Sequence, residues 1–160
     1  MRRYLQIPAG EPMQSERELP ADANVVRDDS EDPERFRRLY QDVGAEHAWI
    51  DRLPWTEEQW RAHVTRVDVE MWVLYVGGER AGYFELRFEP DGLSVEIAYF
   101  GLLPAFVGRG LGGPLLTAAV RAARARADLR VWLHTSTRDH AHALANYEAR
   151  GFRVFHAEVL

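Results

Sequence analysis

Residues 70–101 contain three strand-like segments separated only by two tight-turn signals, and this confines the chain to few folds. Met71–Val76 is a nearly continuous apolar run, which suits a buried strand. Gly77-Gly78 marks a two-residue hairpin. Arg80–Glu89 alternates, with Phe84, Leu86 and Phe88 on one face and Tyr83, Glu85 and Arg87 on the other. Pro90-Asp91-Gly92 is a second turn. In Leu93–Gly101 the alternation predicts Val95, Ile97 and Tyr99 on one face, and Glu96, Ala98 and Phe100 on the other. Strands joined this closely pair antiparallel.

The rhythm then changes. A helix is predicted over Leu111–Arg126, a strand over Arg130–Thr135, a helix over Asp139–Arg150 closed by Gly151, and a strand over Phe152–Val159. Upstream, Phe36, Leu39, Tyr40 and Val43 recur at helical spacing, and Gly44 stops that helix. Thr56 with Gln59 reads as a capping box for a second helix reaching about Arg66. The order αα-βββ-α-β-α-β implies a mixed α+β or α/β fold, an antiparallel–parallel sheet flanked by helices. Residues 8–34, rich in Pro, Glu, Asp and Ser, read as an extended leader with one short strand at Asn24–Arg27. Residues 1–30 are taken as part of the same domain as 31–160. Neither a signal-peptide apolar run nor an apolar stretch near ~18 residues is visible, so a cytoplasmic protein is expected, without membrane association.

Composition removes several chemistries. The 160 residues include no cysteine, which excludes thiolate catalysis, disulfides and Cys-type metal sites. All 20 basic residues are arginine, so Schiff-base chemistry and a Walker-type lysine are also excluded. A net charge of −5 does not favour nucleic-acid binding. His134, Asp139, His140 and His142 cluster in sequence, but their spacing does not suit metal ligation, and no metal is expected.

Val107-Gly108-Arg109-Gly110-Leu111-Gly112-Gly113-Pro114 lies between a strand and a helix. Glycines let backbone N–H groups approach a ligand, and the helix N-terminus behind them attracts anions. Gly108, Gly110 and Gly113 satisfy G-x-G-x-x-G, but a dinucleotide fingerprint follows a first parallel strand, whereas here an antiparallel meander precedes the turn. A bare strand-to-helix turn and a site for another pyrophosphate-bearing ligand remain.

This segment resembles the [Q/R]-x-x-G-x-[G/A] loop of the GNAT superfamily of N-acetyltransferases: Gly110 and Gly112 match, while Val107 stands in place of Gln or Arg. Val95–Pro104 resembles that family's fourth strand and the bulge after it, and Tyr147-Glu148-Ala149-Arg150-Gly151-Phe152 its Y-x-x-x-G-F ending. The resemblance covers residues 70–158, and 33–66 resemble a bacterial GNAT subgroup of uncertain substrate. It implies that residues 31–160 form an acyl-CoA N-acyltransferase domain, with acetyl-CoA as co-substrate and an amine acceptor; a homodimer is compatible with it. Backbone amides at Val107, Gly108, Arg109, Gly110, Leu111, Gly112 and Gly113 would hold the pyrophosphate. By the family pattern, His140 stands where a CoA-contacting asparagine is common.

Acetyl transfer needs a deprotonated amine, a polarised thioester carbonyl and a protonated leaving thiolate. An N–H of Leu102 or Leu103 is expected to polarise the carbonyl. Tyr147 is the candidate acid. Glu96 is the candidate base, with water as the alternative. Glu85 is a candidate for binding a cationic substrate, and Trp49 and Trp55 for lining the acceptor pocket. Arg121, Arg124 and Arg126 read as a solvated helix face. The alternative function is a weakly active or inactive acyl-CoA sensor; a third is transfer to oxygen or of a longer acyl chain.

Overall fold

The computed structural model describes residues 1–136 and 142–160, so Asp139 and His140 lie outside the described residues. The elements in chain order are β1 (Arg2–Ile7), β2 (Ala23–Arg27), α1 (Pro33–Gly44), α2 (Glu57–Val64), β3 (Val69–Val76), β4 (Glu79–Phe88), β5 (Ser94–Leu102), a 3-10 turn (Pro104–Phe106), α3 (Gly112–Ala123), β6 (Arg130–Ser136), α4 (Ala143–Ala149) and β7 (Arg153–Glu158). The strands form one mixed sheet in the order β2-β3-β4-β5-β6-β1-β7. Each predicted helix and strand has a counterpart near its expected place, and the expected first residues of the last helix, 139–141, lie outside the described residues. The capping box at Thr56 and Gln59 is formed in both directions.

Sequence reading missed the first strand. Leu5 and Ile7 are 0% and 1% exposed, and β1 pairs antiparallel with both β6 and β7, so it is an interior strand. The segment that follows is a strap across the outside of α3 and α4. The Gln14 N–H donates to the Arg150 carbonyl (3.0 Å), and the Arg17 N–H to Thr117 Oγ1 (3.1 Å). Of the three arginines expected on a solvated face, Arg121 and Arg126 do stay exposed while making ion pairs, and Arg124 is drawn inward. Arg124 donates to the carbonyls of Pro8 (2.9 Å), Glu11 (2.6 Å) and Leu129 (3.0 Å), Arg121 binds Glu16 and Glu18, and Arg126 reaches the buried Glu70 at 3.0 Å.

Two hydrophobic cores lie on opposite faces of the sheet. One joins Phe84, Leu86, Val95 and Ile97 to Leu115, Leu116 and Val120 of α3. The other joins Met71, Val73 and Tyr83 to Phe36, Leu39 and Tyr40 of α1 and Trp60 of α2. The β4 alternation follows the prediction, but that of β5 does not. Leu86 pairs with Ile97 while Glu85 pairs with Tyr99, so Ala98 is the extra residue of a bulge. Beyond it every side chain changes face: Tyr99 joins the α1–α2 core, and Phe100 packs with the α3 core.

β5 and β6 form the one parallel pair among the described residues. They pair only from Ser94–Arg130 to Glu96–Trp132 and then separate, while β6 stays paired with β1 on its other edge as far as Ser136. Two cavities open beyond that split.

Candidate active site

The larger cavity, about 630 Å³, runs between β5, the glycine turn and α4. Within the turn, Gly108 and Gly110 have φ of +79° and +75°, which L residues rarely adopt; this exposes the turn's backbone toward the cleft. α3 begins at Gly112 without a side-chain N-cap, leaving its first amides for a ligand. Val107, Gly108, Gly110, Leu111, Gly112 and Gly113 all line the cavity, but Arg109 turns away and packs over Phe106, 4.8 Å from the ring centroid.

Two arginines that sequence reading missed also line this end. Arg150, 6% exposed, and Arg17 on the strap both lie beside Gly113: a Cβ built there would come within 2.6 Å of Arg150 Nη1 and 2.8 Å of Arg17 Cδ. Burial and the adjacent Arg17 charge both pull the Arg150 pKa down. Arg150 Nε is buried without a hydrogen-bond partner. Two guanidiniums and a helix N-terminus converging on one spot form an anion cradle. Asn146, also unremarked in the sequence, links them: Nδ2 donates to the Gly112 carbonyl at 3.0 Å, and Oδ1 accepts from Arg150.

The edge of β5 supplies further donors. Leu103 N–H is bound to the Ala81 carbonyl at 2.8 Å, which withdraws it from the thioester role expected of it. That bond makes Gly82 and Leu102 a non-hydrogen-bonded pair, so the Leu102 N–H turns away from β4 into the split. Leu102 lines the cleft.

The Y-x-x-x-G-F segment has a direct physical role here. Phe152 N–H donates to the Tyr147 carbonyl (3.0 Å), and Gly151 N–H to the Glu148 carbonyl (3.0 Å), the two bonds of a Schellman helix end. Gly151 has φ +98°, and the Phe152 ring meets the Tyr147 ring at 6.2 Å. The motif therefore ends α4 and fixes Tyr147 within it. Tyr147, 7% exposed, packs edge-on to Phe100 at 6.2 Å.

The smaller cavity, about 180 Å³, lies between the 47–51 loop, β5 and β6. Trp49 and Tyr99 are walls, and Asp51 is the one carboxylate side chain lining it among the described residues. Three residues line both cavities: His47, Phe100 and Tyr147. Glu96 lines neither; it is buried on the other side of the bulge and accepts from Arg87 Nε at 3.0 Å.

Glu85 also lies apart, 0% exposed beneath the loop. Arg52 grips both of its oxygens at 2.7 and 2.8 Å, and His63 Nε2 lies 3.0 Å from Oε1. Burial alone would raise this carboxyl, but Arg52 and His63 outweigh it and hold the pKa down at about 2. The Arg52 guanidinium stacks over Tyr99 and Trp55, so Trp55 packs around this ion pair and lines neither cavity. Glu85 thus serves as the anchor for Arg52, whose loop neighbours Trp49, Ile50 and Asp51 wall the smaller cavity. Among the described residues, no three metal-ligating side chains come together, and no helix is long and apolar enough to cross a membrane.

Residues 28–152 match the sequence profile of the acetyltransferase (GNAT) family. No curated protein matches the chain by sequence. Among solved structures, the PaiA N-acetyltransferase of Thermoplasma acidophilum in complex with coenzyme A is similar at TM-score 0.68 and 16% identity, over 85% of this chain and 92% of that one. The aminoglycoside acetyltransferase meta-AAC0020 from an uncultured soil metagenomic sample, in complex with trehalose, gives 0.67 and 14%, over 84% and 90%. A GCN5-related N-acetyltransferase from Sphaerobacter thermophilus gives 0.73 and 16%, over 96% of this chain but 48% of that one.

Proposed function

The chain belongs to the GNAT acetyltransferase family, and from that premise we propose that it transfers the acetyl group of acetyl-CoA directly to a small primary amine. The observation that carries this reading is the meeting of a long cleft and a compact cavity at His47, Phe100 and Tyr147. The cleft receives CoA, with its pyrophosphate on the glycine turn and the cradle of Arg17 and Arg150. The thioester then lies beside the outward Leu102 N–H, which polarises the carbonyl. The acceptor enters the smaller cavity, which is close in size to cavities of about 150 Å³ that hold one aromatic ring. Asp51 offers its ammonium a counter-charge. Tyr147 gives its phenolic proton to the departing sulfur. With no cysteine to hold the acetyl group, both substrates are bound together when transfer occurs.

Calorimetry with acetyl-CoA, followed by mass spectrometry of products from a primary-amine panel, tests this reading. Binding and a mass gain of one acetyl group per product are expected. Absence of binding at millimolar acetyl-CoA refutes the reading, and tight binding without transfer to any amine favours the sensor. Tyr147→Phe is expected to lower kcat about 100-fold with CoA affinity unchanged; an unaltered kcat removes Tyr147 from the mechanism.

A further inference from the structure

We infer that His47 is the base that converts the acceptor's ammonium into the attacking amine; the inference rests on the acetyl-transfer reading above. Three histidines among the described residues line these cavities. His134 lines only the smaller and His142 only the larger, whereas His47 lines both. It stands where a nitrogen entering from the acceptor side meets a thioester held in the cleft. An imidazole also changes protonation in the range where such an amine must lose its proton near neutral pH.

The chain holds this ring in place by several means. His47 N–H and Trp49 N–H both donate to the Gly44 carbonyl, at 3.0 and 3.2 Å. Between them Ala48 sits at φ +55°, a left-handed conformation uncommon for a residue with a Cβ and typical of functional sites. The turn brings the two rings together at 5.4 Å with 25° between their planes, stacked toward β5. The rings lie over Gly101, where a Cβ would collide with Val43 Cγ1 at 2.6 Å and stand in ordinary contact with His47 Nε2 at 3.6 Å and Trp49 Cη2 at 3.7 Å.

None of the competing carboxylates lines both cavities. Glu96 is bound by Arg87, and Glu85 by Arg52 and His63. Asp51, on the same loop, lines the smaller cavity alone and does not reach the cleft that would hold the thioester. The other charged or titratable groups lining the cavities with His47 are Arg2 from β1, Tyr99 from β5, His134 from β6 and Tyr147 from α4 in the smaller, and Arg17, His142 and Arg150 in the larger.

The step balances. His47 takes one proton from R–NH3+, and the freed lone pair forms the N–C bond. The C–S bond breaks with its electron pair on sulfur, which takes the Tyr147 proton. The phenolate regains a proton from the nitrogen of the new amide, and the imidazolium gives its proton to water. Amide, CoA thiol and one proton result.

The test measures kcat/KM from about pH 6 to about pH 9 with acetyl-CoA and 2-phenylethylamine, L-phenylalaninamide, spermidine or an alanine-initiated peptide. In the wild-type protein, kcat/KM for the best amine rises and then levels through the imidazole range. His47→Gln lowers it about 100-fold at neutral pH, removes the plateau and leaves CoA affinity within about twofold, which also shows that the variant is folded. Added imidazole restores part of the rate in His47→Ala. A His47→Gln profile equal to the wild type, or no rescue of His47→Ala, overturns the assignment while the acetyltransferase reading stands. If the wild-type protein acetylates none of these amines, the proposal and that reading fall together.

Discussion

Replacing Arg52 with Met separates the loop from its anchor. The two guanidinium bonds of 2.7 and 2.8 Å disappear, and the Glu85 carboxylate remains buried at 0% exposure with only His63 beside it. Breaking one partner out of a buried ion pair costs about 3–5 kcal/mol. A domain of this size has about 5–15 kcal/mol in total. With a urea slope of about 2 kcal/mol/M, the midpoint falls by about 2 M. The pH dependence gives a second, independent sign. In the wild type the Glu85 pKa is lowered from 4.5 to about 2, so its stabilisation is complete above the ordinary carboxylate range and is lost as pH falls toward 2. In Arg52→Met the isolated carboxyl rises instead, so acid neutralises it, and the gap between variant and wild type narrows below about pH 5. Urea titrations at two pH values measure both effects. Replacing both residues, Arg52→Met with Glu85→Leu, removes the orphan charge and recovers much of the loss. A single-variant loss under about 1 kcal/mol, or a gap indifferent to pH, refutes the view that this pair holds the loop.

Other perturbations reach other parts of the site. Arg17→Ala is expected to weaken CoA binding about tenfold and to flatten its salt dependence, read by calorimetry at two ionic strengths. Arg124→Met strips hydrogen bonds from the carbonyls of Pro8, Glu11 and Leu129, and should cost about 2–4 kcal/mol and expose the strap to protease. Gly151→Ala forces a Cβ into φ +98°, costing about 1–2 kcal/mol; because the same turn fixes Tyr147, kcat should fall more than amine KM rises.

The sequence revealed most where the determinants are local. The hairpins, the capping box, the glycine turn and the Tyr147–Phe152 helix end each depend on residues within eight positions, and each formed as expected. What it concealed depends on distance. Leu5 and Ile7 do show period-two spacing, but nothing nearby tells that their partners lie beyond residue 130. The Arg52–Glu85 pair spans 33 positions, so Glu85 read as an available carboxylate. The bulge at Ala98 is a single extra residue inside a regular pattern, and it alone moves Tyr99 and Phe100 to faces opposite those predicted. The placement of Glu96 was lost for a related reason: its partner Arg87 sits on the neighbouring strand. His47 stood in view within the aromatic loop, but only the fold brings it to both cavities.

The position of β1 has a consequence for how the protein is made. Its strand precedes both of its neighbours in the chain, one of which begins at Arg130 while the other ends at Glu158. At about 5–20 residues per second, Leu5 and Ile7 wait roughly 7–30 seconds before either edge exists to receive them. During that interval β3, β4 and β5 can already form their meander, because their turns are local. The nascent chain therefore carries β1 unpaired until residues beyond 130 have been made, and closing the sheet around it is the most non-local pairing of the fold.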